Sequence, residues 1–255
     1  MTSMFDVVNK QAVAAAFSRA AESYDGAAVL QREVGERLMA MAAHHPGQSV
    51  LDAGCGTGYF SRCWRNLGKQ VTALDLAPGM LAFARQQQVA DHYLLGDIEH
   101  IPLPDAAVDI CFSSLAIQWC SSLPQVLAEL YRVTRPGGVI LFSTLAQGTL
   151  HELADAWQQV DGERHVNTFL PVAQINAVCQ HYRHELQSAW QTRHYSDVMT
   201  LMRSLKGIGA THLHQGRDAG LLSRQRLAAL QAAYSCQHGQ YPLSYHLVYG
   251  VIYRD

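Results

Sequence analysis

No apolar run in this chain approaches the ~18 residues that would cross a bilayer. The charged fraction of 16% is low, yet too high for a membrane-spanning chain. None of the six cysteines (Cys55, Cys63, Cys111, Cys120, Cys179, Cys236) forms a C-x-x-C pair or clusters with histidine at zinc spacing. That excludes a disulfide framework and predicts buried, reduced thiols in a cytoplasmic protein. No signal-peptide pattern is present either: Ala12–Phe17 is a short apolar patch inside a helical pattern, with Lys10 and Arg19 around it. Histidine pairs occur as His181-x-x-His184 and His212-x-His214, but no third ligand accompanies them, so no metal is expected. Repeats, low-complexity tracts and flexible linkers are lacking. A chain of 255 residues, 49% of them hydrophobic, then predicts one domain with a single large core.

Charge is scarce overall, −2, but unevenly placed. Residues 1–180 carry a balance of −6, whereas residues 181–235 carry +4 from Arg183, Arg193, Arg203, Lys206, Arg217, Arg224 and Arg226 against three acids. Such asymmetry suggests an anionic partner near the C-terminal part.

The pattern that is present is alternation. Helices are predicted over Asn9–Ala21 and Val29–Ala43. Then follow strand Ser49–Ala53, helix Thr57–Leu67, strand Gln70–Leu76, helix Gly79–Gln88 behind Pro78, and strands His92–Leu95 and Val108–Leu115. Helix Pro124–Val133 is closed by Arg135-Pro136-Gly137-Gly138, read as a stop and turn before strand Val139–Leu145. Alternation of this kind predicts an α/β fold, a doubly wound, mainly parallel sheet with helices on both faces. Leu243–Tyr253 alternates with period two and predicts a final strand paired antiparallel with Glu185–Tyr195. A helical insertion, about residues 196–240, separates the two. The expected layout is therefore N-terminal helices to about residue 45, a ligand-binding core over 46–195, the insertion, and a last strand over 241–255.

Between the first strand and its helix lies Asp52-Ala53-Gly54-Cys55-Gly56-Thr57-Gly58. Glycines there permit a tight turn and remove Cβ atoms, so a ligand can lie against the backbone at the strand's C-terminal end. A dinucleotide loop would need G-x-G-x-x-G, and Tyr59 breaks it. With no pyrophosphate to cradle, the loop suits the thioether or sulfonium end of a nucleoside–amino acid conjugate. Asp75 lies 21 residues after Gly54, where a carboxylate can accept from a ribose diol, cap the next helix, or do both. Asp97 follows the third strand and can accept from an adenine amino group, with the Ile98 N–H serving a ring nitrogen.

VLDAGCGTG, ALDLAPGML, GDIEHIPLP and LYRVTRPGG, in this order over residues 49–145, resemble the motifs of class I S-adenosylmethionine-dependent methyltransferases. The resemblance implies a Rossmann-like seven-stranded sheet with an antiparallel last strand. It implies a cofactor set of Tyr24, Asp52, Gly54, Gly56, Gly58, Asp75, Leu76, Met80, Asp97, Ile98 and Ser114. Further segments, VNKQ at 8–11, FSRAAESYD at 17–25, LAIQWC at 115–120, MRSLKGIGAT at 202–211 and YPLSYH at 241–246, are similar to the malonyl-acyl-carrier-protein O-methyltransferase family of biotin synthesis. That likeness implies methylation of the free carboxylate of a malonyl thioester, carried by acyl carrier protein or by coenzyme A, with no nucleic-acid or membrane partner.

A carboxylate with pKa near 4 is already ionised at neutral pH, so no general base is required, and none is evident beside the glycine loop. Catalysis would come from in-line alignment and exclusion of water. Arg203 is the expected anchor of the malonyl carboxylate, on a helix Asp197–Leu205 where it points away from the apolar face and Lys206 borders it. Tyr24, Gln118 and Trp119 are the other expected catalytic-site residues; Gln118 and Trp119 follow the fourth strand, where a ligand crevice opens in such sheets. Rival expectations are a methyltransferase of the same fold acting on another small acid or on a quinone or sterol carbon, and a non-catalytic S-adenosylmethionine-binding regulator.

Overall fold

A computed structural model describes residues 8–42, 44–208 and 223–255. Its elements are α1 (Lys10–Ala27), α2 (Val29–Ala40), β1 (Ser49–Ala53), α3 (Tyr59–Asn66), β2 (Gln70–Asp75), α4 (Pro78–Gln86), β3 (His92–Leu95), β4 (Val108–Ser114), a 3-10 turn (Ile117–Trp119), α5 (Leu123–Val133), β5 (Thr134–Leu145), α6 (His151–Val160), α7 (Val172–Cys179), β6 (Arg183–Tyr195), α8 (Val198–Gly207), α9 (Arg224–Ala233) and β7 (Tyr241–Tyr253).

The seven strands form one sheet in the order β3-β2-β1-β4-β5-β7-β6. The first five are parallel; β7 runs antiparallel between β5 and β6. Strand order reverses between β1 and β4, and a sheet of this topology opens its ligand crevice at that point. The central strands are apolar on both sides because both faces are covered. Val50, Ile110, Phe112 and Leu247 belong to the core under α2, α3, α6 and α8, whereas Leu51, Cys111, Ile140 and Val248 belong to the core under α5 and α7. No helix among the described residues is long and apolar enough to cross a membrane.

Local chemistry explains the boundaries. Helix α1 is alanine-rich, which favours helix, and Asn9 Oδ1 caps it by accepting from Ala12 N at 3.0 Å. It runs past the expected end at Ala21 to Ala27. Helix α3 starts at Tyr59 rather than Thr57, because Gly56 (φ +55°) and Gly58 (φ +84°) take left-handed backbone that cannot join a right-handed helix. At Arg135–Gly138 the expected stop is a departure within a strand: β5 begins at Thr134 and runs through, with a register shift opposite Val108 and Ile110. Gly137 N donates to Arg254 O, and Arg254 N donates to Gly138 O, so the last strand's end ties down the irregular stretch. Helices α6 and α7 were not expected from sequence. Of the expected insertion, α8 and α9 are described, while Arg217, His212, His214 and the Gly209–Thr211 end of the MRSLKGIGAT segment lie outside the described residues.

Candidate active site

Several strand ends and one helix build a cleft at the switch point, with about 630 Å³ of empty space counting the part open to solvent. That size suits a small-molecule ligand. Its floor is the end of β1 and the loop after it, Gly54 and Gly56. One side is Asp75, Leu76, Ala77 and Met80, from the end of β2 into α4. Asp97 and Ile98 follow β3, and Ser114, Leu115, Ala116, Trp119 and Cys120 follow β4. Helix α1 closes it with Lys10, Val13, Ala14, Phe17 and Tyr24.

Ten of the residues expected from sequence therefore meet in one place: Tyr24, Gly54, Gly56, Asp75, Leu76, Met80, Asp97, Ile98, Ser114 and Trp119. Gly54 is left-handed, and a Cβ there would stand 2.4 Å from the Ala116 Cβ, so the β1 and β4 ends approach this closely only with glycine. Gly56 is different. A Cβ on it would meet no protein atom within 4 Å, which leaves open cleft space against the backbone.

Asp75 is 9% exposed and fully engaged from below: Oδ2 accepts from Gly56 N at 2.8 Å and Oδ1 from Ala77 N at 2.7 Å. It thus joins the glycine loop to Ala77, the N-cap residue of α4, while also lining the cleft; α4 itself has no side-chain cap. Burial raises its pKa, opposed by the N–H groups of Ala77, Gly56 and Leu76. Each carboxylate oxygen keeps a second lone pair for a ligand hydroxyl. Asp97 Oδ1 accepts from Glu99 N and from Lys10 Nζ, both at 3.0 Å. Tyr24 is half-buried near Asp75 and Asp25, and desolvation with those two negative charges raises its pKa well above the ordinary range, so its hydroxyl stays protonated as a donor. Neighbouring Asp25 Oδ1 accepts from Thr57 Oγ1 at 2.6 Å, which fastens the end of α1 onto the glycine loop. Phe17 and Trp119 meet edge to face, centroids 5.3 Å apart.

Four expected residues do not line the cleft. Asp52 is 2% exposed and lies beneath the loop, accepting from Ser61 Oγ of α3 at 2.6 Å; burial lifts its pKa to about 7. Gly58 shapes the loop: its Cβ would strike Val89 at 2.2 Å. Gln118 donates from Nε2 to Leu115 O at 2.7 Å, and its buried Oε1 has no partner among the described residues. Leu115 is left-handed, φ +50°, so Gln118 holds a strained backbone at the cleft wall. Arg203 is exposed on α8 and is not brought to the cleft.

Sequence reasoning missed Lys10, Val13 and Ala14 as cleft residues, although a signal existed. Positions 10, 13, 14, 17, 20, 21 and 24 fall on one helical face. That face read as core, and part of it is: Ala20 and Ala21 are buried against Ala77 and Met80 at the start of α4, with Ala14, Phe17 and Tyr24 packed around them. Cys120 also lines the cleft; burial raises its thiol to about 12.

Known proteins are similar to this chain in sequence and in fold. Residues 51–142 match the methyltransferase domain family. The chain is 75% identical over 255 residues to the malonyl-[acyl-carrier protein] O-methyltransferase of Serratia marcescens, covering 100% of both chains. It is 70% identical over 248 residues to the Yersinia pestis protein of the same name, covering 97% of this chain and 93% of the relative. Among solved structures it superposes on the YcgJ protein of Bacillus subtilis with a TM-score of 0.62 at 15% identity, covering 88% of this chain and 99% of that one. It also superposes on geranyl diphosphate C-methyltransferase from Streptomyces coelicolor A3(2), solved with Mg2+, geranyl diphosphate and S-adenosyl-L-homocysteine, with a TM-score of 0.51 at 15% identity, covering 86% and 77%.

Proposed function

The chain belongs to the malonyl-[acyl-carrier protein] O-methyltransferases, and from that membership we propose that it methylates the free carboxylate of malonyl-acyl carrier protein, giving the methyl ester that primes pimeloyl synthesis for biotin. S-adenosylmethionine supplies, when bound, an electrophilic methyl group on a sulfonium. The observation that carries the reading is the convergence of Gly54, Gly56, Asp75, Asp97, Ile98 and Ser114 on one cleft at the sheet's switch point, in a chain related over its full length to enzymes of that name.

The residues fit the methyl donor. Gly56 leaves backbone space for its amino-acid end, Asp75 presents lone pairs for the ribose diol, and Asp97 with the Ile98 N–H suits an adenine edge. Protonated Tyr24 can donate toward the amino-acid end or the substrate carboxylate. No general base is required, since the substrate carboxylate is ionised at neutral pH. The cleft is consistent with that: among the described residues no histidine lines it, and burial raises the Tyr24 and Cys120 pKa values so that both stay protonated. What the protein contributes is alignment and a dry enclosure, for which α1 with Val13, Ala14 and Phe17 supplies the apolar wall.

Mass spectrometry of malonyl-acyl carrier protein, incubated with the protein and S-adenosylmethionine, tests the proposal. The expected result is a single methyl increment, abolished when the malonyl group is replaced by acetyl. Calorimetric binding of S-adenosylmethionine without any increment would leave the cofactor reading and remove the substrate. Malonyl-coenzyme A in parallel decides the carrier.

A further inference from the structure

Among the described residues, Lys10 is the cation that lines the cleft, and the methyl transfer proposed above does not use it. It is the first residue of α1, and its Nζ bridges two carboxylates, Asp97 Oδ1 at 3.0 Å and Glu99 Oε2 at 2.5 Å. Glu99 is 7% exposed and is further held by the N–H groups of Ser121 and Ser122, at 3.1 and 2.8 Å. Asp97 is anchored on one oxygen only. Oδ1 takes both Lys10 Nζ and Glu99 N, whereas Oδ2 has no hydrogen-bond partner among the described residues, in a side chain that lines the cleft.

We infer that Lys10 is a positioning residue that fixes the base specificity of the cleft, by pinning Asp97 through Oδ1 so that Oδ2 is held as the acceptor for a 6-amino purine. The inference rests on reading Asp97 as the adenine partner and adds the group that enforces it. The physical argument concerns the two acids. Oxygens of Asp97 and Glu99 lie within 4.8 Å of each other, and Lys10 neutralises both. Two carboxylates this close repel each other, and without the cation between them Asp97 is free to turn away from the base edge. A carboxylate oxygen accepts from a 6-amino group and repels the oxygen of a 6-oxo base. With the ammonium and the Glu99 N–H on Oδ1, the direction of Oδ2 is fixed. A buried polar group left unmatched by the wrong base costs far more than a lost contact, which is how such a pair discriminates.

The test is calorimetric binding of S-adenosylhomocysteine and S-inosylhomocysteine, which differ in the 6-amino and 6-oxo groups, to the intact protein and its variants. The wild type should prefer the adenosyl compound by at least about a hundredfold. Lys10→Met should weaken adenosyl binding about tenfold while strengthening or sparing inosyl binding, so that the preference falls below about tenfold. Lys10→Arg, which keeps the charge, should retain most of the preference and shows that the fold survives a change at this position. If Lys10→Met weakens both ligands equally, Lys10 merely fastens α1 and the inference is overturned; no change in either affinity overturns it too. Asp97→Asn separates the two layers. A preference unchanged in that variant removes Asp97 as the base partner, and the inference with it, whereas a preference lost there but kept in Lys10→Met removes the role of Lys10 alone.

Discussion

Two acids lie one above the other at the end of β1 and β2, and their surroundings give them different work. Asp75 faces the cleft and has both oxygens tied to backbone N–H groups, so its direction is fixed before any ligand arrives. Replacing it by alanine removes charge-assisted bonds to the ligand and frees Gly56 and Ala77. Asp75→Ala should weaken S-adenosylhomocysteine binding by ~2–4 kcal/mol, measured by calorimetry, and unchanged affinity would reduce the residue to a tie between the glycine loop and Ala77. Asp52 is buried below, raised from 3.8 to about 7 by desolvation first and by Asp75 second, with Ser61 pulling the other way. The folded state keeps a proton that the unfolded chain has lost between those two values. The unfolded state therefore binds fewer protons there, and stability declines as pH rises through that window, with the loss complete above about 7. Asp52→Asn is neutral throughout and keeps an acceptor for Ser61. Thermal melts of the ligand-free proteins should show wild type losing Tm relative to Asp52→Asn between about pH 4 and about pH 7, and parallel curves would contradict a raised pKa.

Helices do at the next scale what single residues cannot. Helix α1 presents one face to three surfaces in succession: Lys10 to the Asp97–Glu99 pair, Val13 to Phe17 to the cleft, Ala20 and Ala21 to α4. Its contact with α4 is close, since a Cβ on Gly79 would come within 2.7 Å of Ser18 Cβ, and Gly79 N donates to Ser18 Oγ. Helix α8 packs beside it; a Cβ on Gly207 would approach the Ala27 Cβ to 2.6 Å. Arg203 is exposed on α8 and outside the cleft, so its position predicts a surface role rather than anchorage of the malonyl carboxylate. The two roles separate kinetically. Arg203→Ala should leave kcat within about threefold while lowering kcat/KM for malonyl-acyl carrier protein. A drop of a hundredfold or more in kcat at saturating carrier would instead place the guanidinium on the reacting carboxylate, since ~3 kcal/mol of alignment would then be lost.

At the scale of the whole molecule, charge is distributed in a way that contacts refine. Of the basic residues concentrated after residue 180, Arg193 pairs with Glu33, Arg226 with Asp161 and Arg183 with Asp255. Arg226 also stacks over Trp157, which withdraws it from the docking surface that charge counting alone suggests. Arg203, Lys206 and Arg224 are exposed and make no ion pair among the described residues, on helices α8 and α9 that pack together. Among the described residues these three are the candidates for attracting an acidic carrier protein. Turnover at low carrier concentration should fall as ionic strength rises, mostly through slower association, and Arg203→Ala/Lys206→Ala/Arg224→Ala should flatten that dependence. A rate indifferent to salt in the wild type would exclude electrostatic docking.

Much of this protein was legible without coordinates. The apolar strands, the glycines at alternate positions and the acids at strand ends are local patterns, and local patterns determine strands, turns and the side of the sheet on which a ligand sits. The period of two over Leu243–Tyr253 likewise foretold the antiparallel pair β6–β7. What sequence could not decide is which residues of a helix face a cleft rather than a core, because both demand the same apolar spacing. Lys10 is the plain case. Its charge at the head of an apolar face has no meaning until α1 is packed so that Lys10 meets Asp97 and Glu99 in the loop after β3. Arg203 is the converse. Its residue type fitted an anchor, but tertiary packing of α8 fixes which way a side chain points, and it points to solvent. Helix α6 and helix α7 were missed for a related reason: short helices draw stability from the sheet they cover, as Leu153, Trp157 and Ile175 do here in the core, and not from their own sequence.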